Sequence, residues 1–306
     1  MEALPLQLIW GCDPSRQLEV AWLRTLLGSL PVEHLAASQL APDCLQPDRP
    51  RLLVESGLLR LERQPSSERL QAQHRARADR LALLAAAGPF TLVHLSDEEG
   101  LDGDELYPMV PPGSAIWRNF AHPRFAAIEG LVNFPIGPRA EFLSPLSCMP
   151  ASTRAWPWAF MGTLWGSGSR VRATALFLHA LPQGFFYGGS HFGVGLPLAH
   201  YRDALGQSVF ALCPEGDRHL DTFRLYESLQ MGCLPLVVDV RDQARTLLGP
   251  DYPLPIFSSW STALHFAQAH LAQPERQDEL QQVVTTWWQG RCQQLAIALQ
   301  QCCRLC

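Results

Sequence analysis

The sequence contains no lysine, and all 24 basic residues are arginine. This absence excludes Schiff-base and Walker-lysine mechanisms. A phosphate clamp must then use arginine, backbone N–H groups and helix N-termini. Long apolar runs are also missing, because no stretch reaches the roughly 18–20 residues of a membrane span. The opening MEALPLQLIWGCDPSRQLEV has no basic n-region. The expectation is a cytoplasmic protein with neither signal peptide nor transmembrane segment. After the first apolar run, LIWG is followed by CDPSRQ. Without a GxGxxG there, a nicotinamide-dependent oxidoreductase is disfavoured. The nine cysteines are odd in number and scattered. Cys302, Cys303 and Cys306 cluster at the end, but no second ligand pair stands at zinc spacing, so reduced thiols are the plainer reading. A net charge of −5 gives no reason to expect a nucleic-acid or acidic-membrane partner.

The 306 residues, 47% hydrophobic and 17% charged, suffice for two domains with their own cores. LPLQLIWG (4–11) reads as a buried strand, followed by a helix over 15–29 and a Pro/Asp-rich loop over 40–50. Residues 66–87 have helical character, with Ser66 or Ser67 as cap and Gly88 as stop. FTLVHLSDEEG is a short buried strand ending in acids. The stretch 101–155 is turn-rich, interrupted by the apolar segments SAIWRNF and LVNFPIG. Alternation resumes with a strand at 156–164, helices at 169–180 and 197–207, a strand at 208–214, a helix at 221–232 and a strand at 234–239. Helices over 260–272 and 275–303 finish the chain. This pattern predicts an α/β fold with parallel sheets. It is divided near 140–155 into domains of 1–150 and 151–306, with the last helix free to cross back to the first domain.

The most informative segment is LCPEGDRHLDTFRLYESLQMGCLPLVVD (212–239). A strand ends at Cys213-Pro214, a loop containing Gly216 follows, and Asp221 or Thr222 is placed to cap the next helix. That helix directs its positive end toward the carboxyl edge of the sheet, where open α/β folds bind ligands. Arg224 lies in its first turn and Glu227 one turn later. Gly232 ends the helix and Pro235 enters the next strand. The physical reading is a strand–loop–helix anion site carrying a helical carboxylate.

The order of residue types resembles the exostosin-type glycosyltransferases. The resemblance rests on CPxG, then DTFRLYE, then a GxxP strand. Upstream, HYRDALGQSVFALCP, WAFMGTLWGSGSRVRA, FPIG, IWRNF and VHLSDEE resemble further elements of that family. The clear match covers about 200–239, and weaker elements extend it over about 90–239. The resemblance implies a GT-B architecture of two Rossmann-like domains facing across a cleft. It also implies a nucleotide-sugar donor, UDP-linked, held by the C-terminal domain, and inverting transfer to a glycan or other hydroxyl acceptor. Glu227 would take the donor ribose hydroxyls and Arg170 the donor phosphates, with Gly216, Asp221, Thr222 and Arg224 shaping the phosphate end. Transfer needs a base. Asp97 and Glu98 follow directly on a buried strand, and Asp97 is preferred. No cofactor is required, and a metal is not predicted.

Plainer readings stand beside these. Arg224 and Glu227 are spaced to form a surface salt bridge, and Asp221 to be only a cap. Arg118 in WRNF is placed either to bind phosphate or to pair with an acid of the DEE run. His94 ends an apolar strand as a core histidine does, and His191 lies in a glycine-rich loop within reach of a donor. Asp102-Gly-Asp104 resembles a metal-binding DxD but lies in an acidic loop. Trp156 and Trp158 are expected to pack between layers, and at least one of Trp287 and Trp288 to be core. The linker DRHL makes no glycine-rich phosphate loop, and the alternative function is a nucleotide-sugar-binding relative that has lost its base.

Overall fold

The computed structural model describes residues 4–46, 49–58, 66–144, 148–164, 168–189, 191, 195–216 and 218–305. The chain forms two compact units, Met1–Ile136 with Gln293–Cys306, and Gly137–Cys292. The sequence placed the junction near 140–155, of which 145–147 lie outside the described residues.

In the first unit, β1 (Leu6–Trp10), β2 (Val32–Ala36), β3 (Arg51–Ser56), β4 (Thr91–Leu95), β5 (Ala115–Arg118) and β6 (Leu131–Asn133) form one sheet in the order β2-β1-β3-β4-β5-β6. Every pairing is parallel. Strands β3 and β4 are buried at every position, as strands covered on both faces must be. Helix α1 (Val20–Leu27) buries Val20, Trp22, Leu23, Leu26 and Leu27, one apolar stripe at helical spacing. The longer α2 (Ser67–Ala86) is more polar and buries Arg77, Leu81 and Leu84. Ser66 occupies its N-cap position, but its side chain makes no capping bond. The short α3 (Gly103–Leu106) follows β4. SAIWRNF and LVNFPIG supply β5 and β6. Strands β2 and β3 lie where no strand is expected from the residues.

In the second unit, β7 (Trp156–Thr163), β8 (Phe185–Gly189), β9 (Ser208–Leu212) and β10 (Leu234–Leu236) pair in parallel in the order β10-β9-β7-β8. The helices are α4 (Ser169–Ala180), α5 (Leu198–Gly206), α6 (Phe223–Gln230), α7 (Gln243–Leu248), α8 (Trp260–Leu271) and α9 (Pro274–Leu305). Residues of α9 up to Cys292 belong to this unit, and those from Gln293 to the first. Trp158 is fully buried and donates to the Leu181 carbonyl, while Trp156 rests against Phe185. Trp288 is the core member of its pair and stacks on Tyr226.

Both units are wound alike. The first strand is central, the second is added on one side, and the third on the other. The winding therefore reverses between β1 and β3 in one unit and between β7 and β9 in the other. Such reversals open a crevice at the carboxyl ends of the strands, which is where open α/β sheets take ligands.

Candidate functional site

The crevice of the second unit is built from the end of β7, the loop after β9 and the start of α6. Arg224, in the first turn of α6, is only 8% exposed. Its Nε and Nη2 donate to the Met161 carbonyl on β7 at 3.1 and 2.8 Å. Its guanidinium lies 4.5 Å above the Phe160 ring. Gly162 makes this approach feasible, since a Cβ there would stand 2.2 Å from Nη2. Nη1 is buried with no hydrogen-bond partner among the described residues. Thr222 holds the N-cap position in extended conformation, but its hydroxyl makes no capping bond and is likewise buried without a partner. Buried donors are ordinarily satisfied. A cationic N–H and a hydroxyl left over at the positive end of a helix favour an anion there.

Glu227 is one turn further along α6 and 1% exposed. Its Oε1 accepts from Arg139 Nε at 2.5 Å, and its Oε2 from the Tyr201 hydroxyl at 2.8 Å. The surface salt bridge between Arg224 and Glu227 is not what forms, because each side chain is committed to other partners. Asp221 is not the cap. It stands one residue ahead of Thr222, and its Oδ1 accepts from the Tyr226 hydroxyl at 2.5 Å. The Gly216 N–H donates to the His219 carbonyl at 2.6 Å. Asp217 of the DRHL linker lies outside the described residues.

Arg170, expected at the donor phosphates, opens α4. Its Nη1 donates to the Thr163 carbonyl at 2.7 Å and its Nε to the Glu215 carbonyl at 2.9 Å. It thereby ties the end of β7 to the loop after β9, and it is 6% exposed. The Gly/Ser loop before it, 165–167, lies outside the described residues. His191 is exposed, and its neighbours 190 and 192–194 also lie outside them. Arg139 and Tyr201 were missed by sequence reasoning. The only signal was that Arg139 directly follows FPIGP and Tyr201 is the second residue of the HYRDALGQ run.

In the first unit, the two readings of Arg118 resolve in favour of the acid. Its Nη1 donates to Asp97 Oδ2 at 3.0 Å and to the Tyr107 hydroxyl at 2.7 Å, and its Nη2 donates to the Asp97 carbonyl at 2.9 Å. Asp97 Oδ1 also accepts from the Leu101 N–H at 3.0 Å. Burial raises the Asp97 pKa, and the Arg118 charge opposes that rise. Asp97, the preferred base in the sequence, is thus hydrogen-bonded on both carboxylate oxygens. Glu98, next in the same turn, is half-buried. His94 is a core histidine. Its Nδ1 is 2.9 Å from the Tyr107 hydroxyl, and burial holds its pKa well below the ordinary value.

Glu55 lies against Gly11, where a Cβ would stand 2.1 Å from its carboxylate, and it pairs with Arg77 and Arg80. Asp102 accepts from Arg77 Nη1 at 3.0 Å, and Asp104 pairs with Arg124. The DxD acids are thus matched by arginines. No group of three or more metal-ligating side chains occurs among the described residues. Cys302 is half-buried and Cys303 buried, and Cys306 lies outside the described residues. No helix among the described residues is long and apolar enough to cross a membrane.

No family model matches the chain, and no curated protein matches it in sequence. In backbone shape it is similar to an α-glucosyltransferase solved with UDP and a 13-mer DNA containing a central A:G mismatch. The TM-score is 0.52 at 8% identity, over 94% of this chain and 95% of that one. An α1,3-fucosyltransferase matches with TM-score 0.46 at 9% identity, over 92% of this chain and 82% of that one. At such identities the first likeness establishes a shared fold, the GT-B arrangement of two Rossmann-like units.

Proposed function

We propose that the chain is a glycosyltransferase of exostosin-like type, transferring a sugar from a nucleotide-diphosphate donor to an acceptor hydroxyl with inversion. The observation that carries this reading is the pairing, on α6, of a buried carboxylate with a buried guanidinium that has a donor to spare. Glu227 suits the ribose hydroxyls of a nucleotide. Arg224 Nη1 and the first turn of α6 suit its diphosphate. In the first unit Glu55 and its arginines stand at the equivalent strand ends, which favours the second unit for the donor. The fold neighbour was solved with UDP, and UDP is accordingly the first nucleotide to test. DNA is not proposed as a partner, since a chain of net charge −5 lacks the cationic surplus that phosphate backbones require.

In the proposed reaction, the acceptor oxygen attacks the anomeric carbon as a base removes its proton. The bond from that carbon to the diphosphate oxygen breaks, and the nucleoside diphosphate leaves with the electron pair. Arg224 offsets the charge on the departing group. Glu98 takes the place of Asp97 as the first candidate for the base. The commitment of Asp97 to Arg118 favours one second reading, a nucleotide-sugar-binding protein without turnover.

Calorimetric titration with UDP, GDP and ADP tests the donor site, with EDTA present and absent. Wild type is expected to bind one diphosphate equally well in both. Glu227→Gln should weaken binding by about 10- to 100-fold, the worth of a hydrogen bond to a charged group. A folded protein that binds none of the three overturns the reading. Glu98→Gln that binds donor but yields no product supports the enzyme, whereas binding by wild type without any transfer supports the second reading.

A further inference from the structure

We infer that Arg139 and Tyr201 are positioning residues that clamp Glu227 and thereby give the site a preference for ribonucleotides over deoxyribonucleotides. The inference rests on the donor site proposed above.

A carboxylate withdrawn from water stays ionised only if it is paired and hydrogen-bonded. Glu227 receives one donor on each oxygen, Arg139 Nε on Oε1 and the Tyr201 hydroxyl on Oε2. An ionised carboxylate has about four acceptor positions. The clamp therefore leaves each oxygen able to accept again, in one fixed orientation. Two acceptors held side by side match the two adjacent hydroxyls of a ribose.

The clamp is itself braced. The Arg139 guanidinium lies 5.3 Å from the Tyr201 ring centroid and 5.7 Å from that of Phe142. Phe142 and Tyr201 meet edge to face at 5.7 Å. Arginine suits this position because its planar group stacks and hydrogen-bonds at once. Burial, followed by the nearby charge of Glu227, holds the Tyr201 phenol well above its ordinary pKa, so the hydroxyl remains a donor. Arg139 is the partly exposed member, with about a third of its side chain open to solvent. It stands just past the boundary between the two compact units. Without it, the buried carboxylate loses its charge partner and its fixed rotamer, while the diphosphate end at Arg224 is untouched.

The test compares UDP with 2′,3′-dideoxy-UDP on wild type, Arg139→Gln, Arg139→Lys and Tyr201→Phe, by calorimetry. The GDP and ADP pairs are titrated alongside in case the base differs. Wild type should prefer the ribonucleotide by about tenfold or more, the worth of a hydrogen bond to a charged group that the deoxy ligand cannot make. The preference should fall to within about twofold in Arg139→Gln, fall partly in Tyr201→Phe and recover partly in Arg139→Lys, with dideoxynucleotide affinity unchanged throughout. Variants that keep the tenfold ratio overturn the inference, as do variants that lose both ligands equally. Tyr201→Phe removes a single oxygen, so the question stays decidable if Arg139→Gln fails to fold. Wild type that binds nucleotide without distinguishing the pair overturns the clamp alone. Wild type that binds no nucleotide overturns the donor site as well.

Discussion

Arg118 Nη1 lies 3.0 Å from Asp97 Oδ2 in the interior of the first unit, at neighbouring strand ends where both side chains are buried. Phe120 and Ser96, which follow those strands, both adopt left-handed backbone, with φ of 55° and 57°. The carboxylate that ends the SD run is thus spent on holding two strand ends together. Removing one partner of a buried ion pair leaves the other charge uncompensated, at a cost of about 3–5 kcal/mol. Asp97→Ala is expected to lose that much stability in urea unfolding. Undiminished stability with abolished turnover would instead make Asp97 the base.

Gly162 and Arg224 give a second prediction. A Cβ at Gly162 would meet Arg224 Nη2 at 2.2 Å, and the backbone φ of 155° is one that side chains rarely adopt. Gly162→Ala should push the guanidinium off the Met161 carbonyl. The expected results are a loss of about 1–3 kcal/mol in stability, typical of overpacking, and about tenfold weaker nucleoside diphosphate binding. Nucleoside binding without phosphates should be unaffected. Equal loss for both ligands would show that Arg224 does not serve the phosphates.

His94 governs a third prediction. Burial, then the charges of Arg118 and Arg77, hold its folded pKa well below 6.5. At pH above 6.5 the ring is neutral in both folded and unfolded chains and contributes no pH dependence. As pH falls below 6.5 only the unfolded chain takes up the proton, so stability declines by up to about 1.4 kcal/mol per pH unit. Urea midpoints between pH 7.5 and 5 should fall accordingly, and His94→Gln should flatten the slope. An unchanged slope in that variant would assign the decline to other groups.

Strands β1, β4, β7 and β9 and the long helices were legible because their signals are local. A strand covered on both faces must be a short apolar run, and a surface helix must carry an apolar stripe. Strand β2 went unread because none of its residues is fully buried, so VEHLA carries no run. In β3, the apolar LLV is flanked by Arg51 and Glu55, charged residues that are buried because their partners come from elsewhere in the chain. Of the candidate site, the placement of Arg224 and Glu227 on one helix was legible because a strand–loop–helix unit fixes where a helix begins and which end is positive.

The alternation of strands and helices, the parallel sheets and the carboxylate and guanidinium on α6 are written locally in the chain, since each follows from neighbours within a few residues. Which charges are spent and which are spare depends on the assembled fold. It gave Asp97 to Arg118 and Arg170 to two carbonyls, and it brought Arg139 to Glu227 from 88 residues away. A buried charge must be paired wherever the fold brings a partner to it, and no local pattern records where that partner lies.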